Sequence, residues 1–282
     1  MNHKIHVEGL GFPEGPVLLP DGGIAFVDLT HAKIRRYRNG AVTEICTLPG
    51  APNGMRLAPD GTLLVCNNGG IGPTSLHGLR RAEPEINGRL QRVMLDGEWT
   101  DVATELPGAR PNRPNDLVFA PDSAVVFTDP QNWDVLGEAD GASRYHGGQL
   151  LRADLATGSV TLLAAMSGFP NGLAFLPDGS LVVGCSLEHR LVRFPWHGDR
   201  VGPAEDWVRF DDRFGPDGMT ADGDTLIVTG SVGDRIAILD LSGRLLRMID
   251  TGPGSDPTNC CVDGRTLWVT LGVPGQLISI DL

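Results

Sequence analysis

Apolar residues in this chain gather in runs of four to seven, among them "IAFVDL", "TLLVCN", "AVVFTD", "SLVVGC", "TLIVTG" and "TLWVTL", and glycine, proline or aspartate closes off each run. Short β-branched runs bounded by turn residues predict strands rather than helices. Each run follows a similar preamble: "PEGPVLLPDGG", "PNGMRLAPDGT", "PNDLVFAPDSA", "PNGLAFLPDGS", "PDGMTADGDT" and "TNCCVDGRT". Six repeats result, led by Glu14, Asn53, Asn115, Asn171, Asp217 and Asn259. In the first five an aspartate stands seven residues further on, at Asp21, Asp60, Asp122, Asp178 and Asp224. An Asp beside Gly at that place predicts the hairpin turn between the first and second strands of a repeat.

The leading residues are spaced by 39, 62, 56, 46 and 42 positions, which brackets the length of a four-stranded propeller blade. The pattern therefore predicts an all-β chain, a six-bladed β-propeller occupying residues 1–282 as a single domain. The last repeat runs out one strand short, while "KIHVEG" precedes the first repeat as a strand with no blade. The N-terminal strand is expected to pair with the last blade, closing the ring and leaving no bare edge.

Composition narrows the function. With 41% hydrophobic residues the chain can bury a sizeable core, and a net charge of -12 without a basic stripe argues against a nucleic-acid or anionic-membrane partner. No apolar run approaches the roughly 20 residues of a membrane span and no basic-then-apolar leader opens the chain, so a cytoplasmic location is expected. Five cysteines form no short-spaced framework, and the adjacent Cys260 and Cys261 would face opposite ways on a strand, which suggests free thiols. Cys and His pairs at zinc-ligand spacing are missing.

In a propeller the first strand of each blade is innermost, so the six leading residues converge on the channel axis. Two carboxylates among amide oxygens make an all-oxygen set suited to a hard divalent cation. Asn-Gly is also a favoured turn, and Asn53 or Asn259 could serve only that purpose. Glu14 and Asp217, pointed together, would repel each other unless a cation joined them.

The motifs "FPEGP", "RPNDLVFAPD", "FTDP", "FPNGLAF", "GPDGM" and "TNCC" resemble those of the regucalcin/gluconolactonase family over nearly the whole chain. That resemblance implies a six-bladed propeller hydrolase with one divalent ion on its axis, Ca, Mg, Mn or Zn, acting mostly on sugar lactones. It also implies that Glu14, Asn171 and Asp217 ligate the metal and that Arg113 and Asn115 face the substrate, although in related propeller phosphotriesterases the residue matching Asn115 touches the metal. The "VCNNGG" segment at 65–70 departs from the usual second blade of sugar lactonases.

The two longest repeats carry extra residues at about 68–88 and 130–148, expected to cover the metal mouth and to bring His77, Arg80, Trp133, Tyr145 and His146 near a small-molecule substrate. The expected chemistry is hydrolysis of a lactone or carboxylic ester, the metal polarising the carbonyl and Asp217 accepting a proton from water. Two alternatives keep the same metal: hydrolysis of a phosphotriester or cyclic ketone, and a non-catalytic Ca-binding propeller. No Gly-x-Ser-x-Gly elbow supports a serine hydrolase.

Overall fold

The computed structural model describes residues 3–73, 79–132, 135–136 and 141–282, with backbone alone at 73, 79, 80 and 142. The six repeats form six four-stranded sheets, each an antiparallel meander. The innermost strands are Pro13–Leu18, Pro52–Leu57, Leu117–Phe119, Pro170–Phe175, Gly215–Asp222 and Pro257–Asp263. Each touches the next in sequence order, and the first touches the sixth. Blade 6 takes its outermost strand from the other end of the chain. Lys4–Val7 pairs with Gln276–Asp281, placing Lys4 opposite Ser279 and Ile5 opposite Ile278.

The core lies between blades, where inner and second strands bury both faces. Ala25, Val27, Met55 and Val65 fill the gap between blades 1 and 2, for example, and Leu64, Leu117, Val125 and Phe127 fill that between blades 2 and 3. Burial on both faces explains why these strands read as continuous apolar runs rather than alternating ones. Cys260 is buried and Cys261 half-buried on alternate sides of the last inner strand, and all five thiols are unpaired.

The hairpin reading holds for all five aspartates, in one form in blades 1 to 4. There a five-residue loop joins the inner strand to the second, and the Asp carboxylate accepts a backbone N–H two residues on, as Asp21 does from Gly23 at 3.0 Å and Asp178 from Ser180 at 2.9 Å. Blade 5 differs. Asp222 pairs directly with Thr225 across a two-residue turn, Gly223 at φ +54° and Asp224, so Asp224 is the second residue of a tighter turn. The longer strands of that blade leave no room for the wider loop.

Candidate metal and substrate site

At the channel mouth, where each repeat begins, the inner strands of blades 1, 2, 4, 5 and 6 break register, between Glu14 and Val17, Pro52 and Met55, Pro170 and Leu173, Pro216 and Met219, and Pro257 and Asn259. Such bulges re-aim a side chain and end pairing, and here they turn the leading residues toward the axis. The glycine after the leading residue is required by the crowding this causes. A Cβ at Gly172 would lie 2.1 Å from the Asp217 carbonyl, and one at Gly218 would lie 2.2 Å from the Asn259 side chain. Buried threonine hydroxyls and the half-buried Ser186 hydroxyl tie consecutive blades together at this level: Thr128 donates to the Asn171 carbonyl, Ser186 to Pro216, Thr229 to Thr258 and Thr258 to Pro13, at 2.7 to 2.8 Å.

Glu14, Asn53, Asn115, Asn171 and Asp217 form the floor of a cavity of about 480 Å³ and are all buried. Their hydrogen bonds show which oxygens are spent. One Glu14 oxygen accepts from the Gly15 N–H at 2.9 Å and from the Asn259 amide at 3.3 Å. Asn171 donates to the Ser186 hydroxyl at 3.2 Å, and its amide oxygen has no protein donor among the described residues. The side-chain amides of Asn53 and Asn115 likewise have no protein partner among the described residues. Asn259 behaves differently from its counterparts. Its oxygen accepts from the Cys260 N–H at 2.9 Å, while its amide bridges Glu14 and Asp116, leaving it nothing to offer a cation.

Burial pushes the Glu14 carboxyl up to about 8, and the charges of Asp116 and Asp256 push the same way against the Gly15 and Asn259 donors. Burial also holds Asp217 well above the usual carboxylate range, reinforced by Glu14, Asp256 and Asp116 and opposed by Ser231. Among the described residues no three His, Cys, Asp or Glu side chains are placed to hold a metal by themselves. A cation at this floor would need amide oxygens beside Glu14 and Asp217, and the unpartnered amides supply them. The residues therefore fit a hard divalent ion.

Arg113, expected to face the substrate, does not line this cavity. It is fully buried and absent from the cavity wall; one guanidinium nitrogen donates to the Asn68 carbonyl at 3.0 Å and another pairs with Glu85. Both partners belong to the 68–88 insertion, so Arg113 anchors that loop. Asp129 of the "FTDP" motif cradles the same segment, accepting from the Arg113 N–H at 2.7 Å and the Asn112 amide at 2.9 Å. Asp28 and Asn67 hold Gly11 and Ala51 in the equivalent way in blades 1 and 2.

The described parts of both insertions include residues that pack behind the cavity wall. Gly72 abuts Leu29, and Ile71 and Tyr145 pack against Phe169, with the Tyr145 and Phe169 rings 5.9 Å apart. Tyr145 and His146 do not line the cavity, and His146 is exposed. His77, Trp133 and the Arg80 side chain lie outside the described residues. Sequence reasoning missed two groups. Asp116, which accepts from Arg56 at 3.2 Å, stands where the other repeats have glycine or cysteine, a usable signal. Asp256 comes from the loop leading into blade 6, where nothing in the repeat pattern marks it.

No helix among the described residues is long and apolar enough to cross a membrane. The SMP-30/Gluconolactonase/LRE-like region family matches residues 12–272. A gluconolactonase of Zymomonas mobilis is 29% identical over 309 aligned positions, covering 95% of this chain and 78% of its own. Among solved structures, a gluconolactonase of Xanthomonas campestris superposes with a TM-score of 0.78 at 23% identity, covering 99% of this chain and 88% of its own. The calcium-binding protein regucalcin of Agrobacterium tumefaciens gives 0.78 at 19% identity, covering 99% and 93%. At these identities the superpositions speak to the fold.

Proposed function

Since the chain belongs to the SMP-30/gluconolactonase/LRE-like family, we propose that it hydrolyses a lactone or related cyclic ester with one divalent metal ion, Ca, Mg, Mn or Zn, at the channel mouth. The observation that carries this reading is the pair Glu14 and Asp217, buried together on the cavity floor without an ion-pair partner among the described residues, beside the Asn53 and Asn115 amides and the Asn171 amide oxygen, which have no protein partner among the described residues. Glu14, Asn171 and Asp217 would hold the ion, with Asn115 beside them at the boundary between ion and substrate. When bound, the ion would supply positive charge that keeps both carboxyls ionised and polarises the ester carbonyl.

The remaining work belongs to this chain. Asp217 accepts a proton from the attacking water as its oxygen bonds to the acyl carbon. The ring C–O bond then breaks and the departing oxygen takes up a proton, so that one water is consumed and a hydroxy acid leaves. Asn115, with its amide free, can hydrogen-bond the substrate. Asn259 positions Glu14, and Arg113 acts at a distance by holding the 68–88 insertion against the wall.

The test is a pH-indicator assay over a lactone, an aryl ester and a phosphotriester, after chelation and after return of each metal. Lactone turnover that disappears with the chelator and returns with metal is the expected result. Faster phosphotriester turnover would reassign the substrate, and metal binding with no turnover of any substrate would leave a non-catalytic propeller.

A further inference from the structure

We infer that the cavity takes an uncharged lactone bearing an apolar substituent in preference to a polyhydroxylated sugar lactone; this rests on the hydrolase reading above and names its substrate class. The polar floor is flanked by hydrocarbon on part of its wall. Phe12, Leu29, Phe169, Val232 and Val273 form the wall above the donor residues, and four of the six blades contribute to it. Most of this wall is fixed from behind. The Phe12 ring rests on Gly272, where an added Cβ would lie 2.5 Å from it, and the Phe12 carbonyl accepts from the Leu29 N–H at 2.9 Å. Leu29 is backed by Gly72, and Phe169 by Ile71 and Tyr145.

The polar groups of the wall are few and acidic. Above the floor, the described lining offers side-chain polar atoms only from Ser231, Asp234 and Asp256. Asp234 is already occupied, accepting from the Gly254 N–H at 2.7 Å and the Asp256 N–H at 2.9 Å. The described lining holds no Lys, Arg or His, so with Glu14 and Asp217 four carboxylates would oppose an anionic substrate. Hydroxyls spread around a sugar ring need partners on every side, and those facing Phe12, Leu29, Phe169, Val232 and Val273 would find none. A site rejects a buried group it cannot pair, whereas each methylene of an alkyl substituent gains burial.

The experiment compares kcat/KM for δ-hexalactone, δ-decalactone and glucono-δ-lactone on the metal-loaded full chain. The expected result is a rise of about fourfold per added methylene until the cavity fills, with glucono-δ-lactone slower than both. Val232→Asn is the companion variant, because Val232 is 55% exposed and the fold does not depend on it. It should flatten the chain-length series, mainly through KM, while leaving the melting temperature unchanged. A preference for glucono-δ-lactone, or a flat series in the parent protein, would overturn the inference. If no lactone is hydrolysed the hydrolase reading falls separately, and calorimetric titration with the same three compounds decides this one: tighter δ-decalactone binding supports it, and equal or weaker binding ends it.

Discussion

At the channel mouth Glu14 and Asp217 are buried without an ion-pair partner among the described residues, whereas at the far end of the inner strands Asp60, Asp122 and Asp178 stand at exposed turns, paired with Arg92, Arg152 and Arg193. One repeat produces both ends, yet it treats the same chemistry in opposite ways. At the turns, Thr62 and Ser180 lead the donors that hold Asp60 and Asp178 below the usual carboxylate range; for Asp122, burial works upward and is outweighed by Arg152 and the Ala124 N–H. At the mouth burial dominates, and neighbouring carboxylates add to it. The turn end is a finished structure. At the mouth the buried carboxyls Glu14 and Asp217 have no basic side chain paired with them among the described residues, and the proposed function is placed at that end.

The sharpest way to break the comparison is Asp217→Asn. Loss of the proton acceptor should cost ~10²–10⁴-fold in kcat, without rescue by excess metal. Glu14→Gln removes a ligand charge only, so its metal affinity should fall and added metal should restore part of the turnover. Metal titration by calorimetry beside the indicator assay separates the two, and parental kcat in Asp217→Asn would pass the base role to another group.

Arg113→Ala comes next. It removes a fully buried side chain and its pairing with Glu85, and should cost about 2–4 kcal/mol in denaturant unfolding. Metal affinity should stay unchanged, because Arg113 does not reach the floor; lost affinity would return it to the site.

Acid and base should separate the two ends more gently. A Glu14 carboxyl at about 8 in the folded chain, against 4.5 ordinarily, means that between those values the native state holds a proton the unfolded chain has lost. Stability of the metal-free protein should therefore fall as pH rises from 4.5 to 8, by up to about 1.4 kcal/mol per pH unit for this group. Saturating metal should flatten that slope, so thermal melts with and without metal should diverge as pH rises. The turn aspartates act in the reverse sense. Their contribution is present above the ordinary Asp value and is lost as pH drops below it.

The smallest effect is expected at an exposed turn. Asp178→Asn weakens one ion pair with Arg193 and one Asx-type bond, and should shift the unfolding free energy by less than about 1 kcal/mol with metal affinity and kcat untouched. A change in either would mean that the two ends communicate.

Much of this architecture could be read from local residues. Apolar runs, Asp-Gly turns and phased preambles are properties of short segments, and the one-strand offset at the termini implied the closure between Lys4–Val7 and Gln276–Asp281 that the fold displays. The convergence of Glu14, Asn53, Asn115, Asn171 and Asp217 was legible for the same reason, since repeat phase converts directly into position around an axis.

What each side chain does once it reaches the axis depends on partners distant in sequence, which no local pattern encodes. Asn171 and Asn259 lead equivalent repeats, yet Asn259 is consumed by Cys260, Glu14 and Asp116 while Asn171 keeps its oxygen without a protein donor among the described residues. Arg113 lies two residues from Asn115 but turns into the 68–88 insertion, because buried guanidinium requires acceptors and Asn68 and Glu85 provide them there. The sequence by itself determined the ring, its closure and the set of residues gathered at the mouth, since those follow from backbone periodicity. Only the tertiary structure decided which oxygens remain available and that apolar side chains flank them, because both depend on which side chains meet across blades.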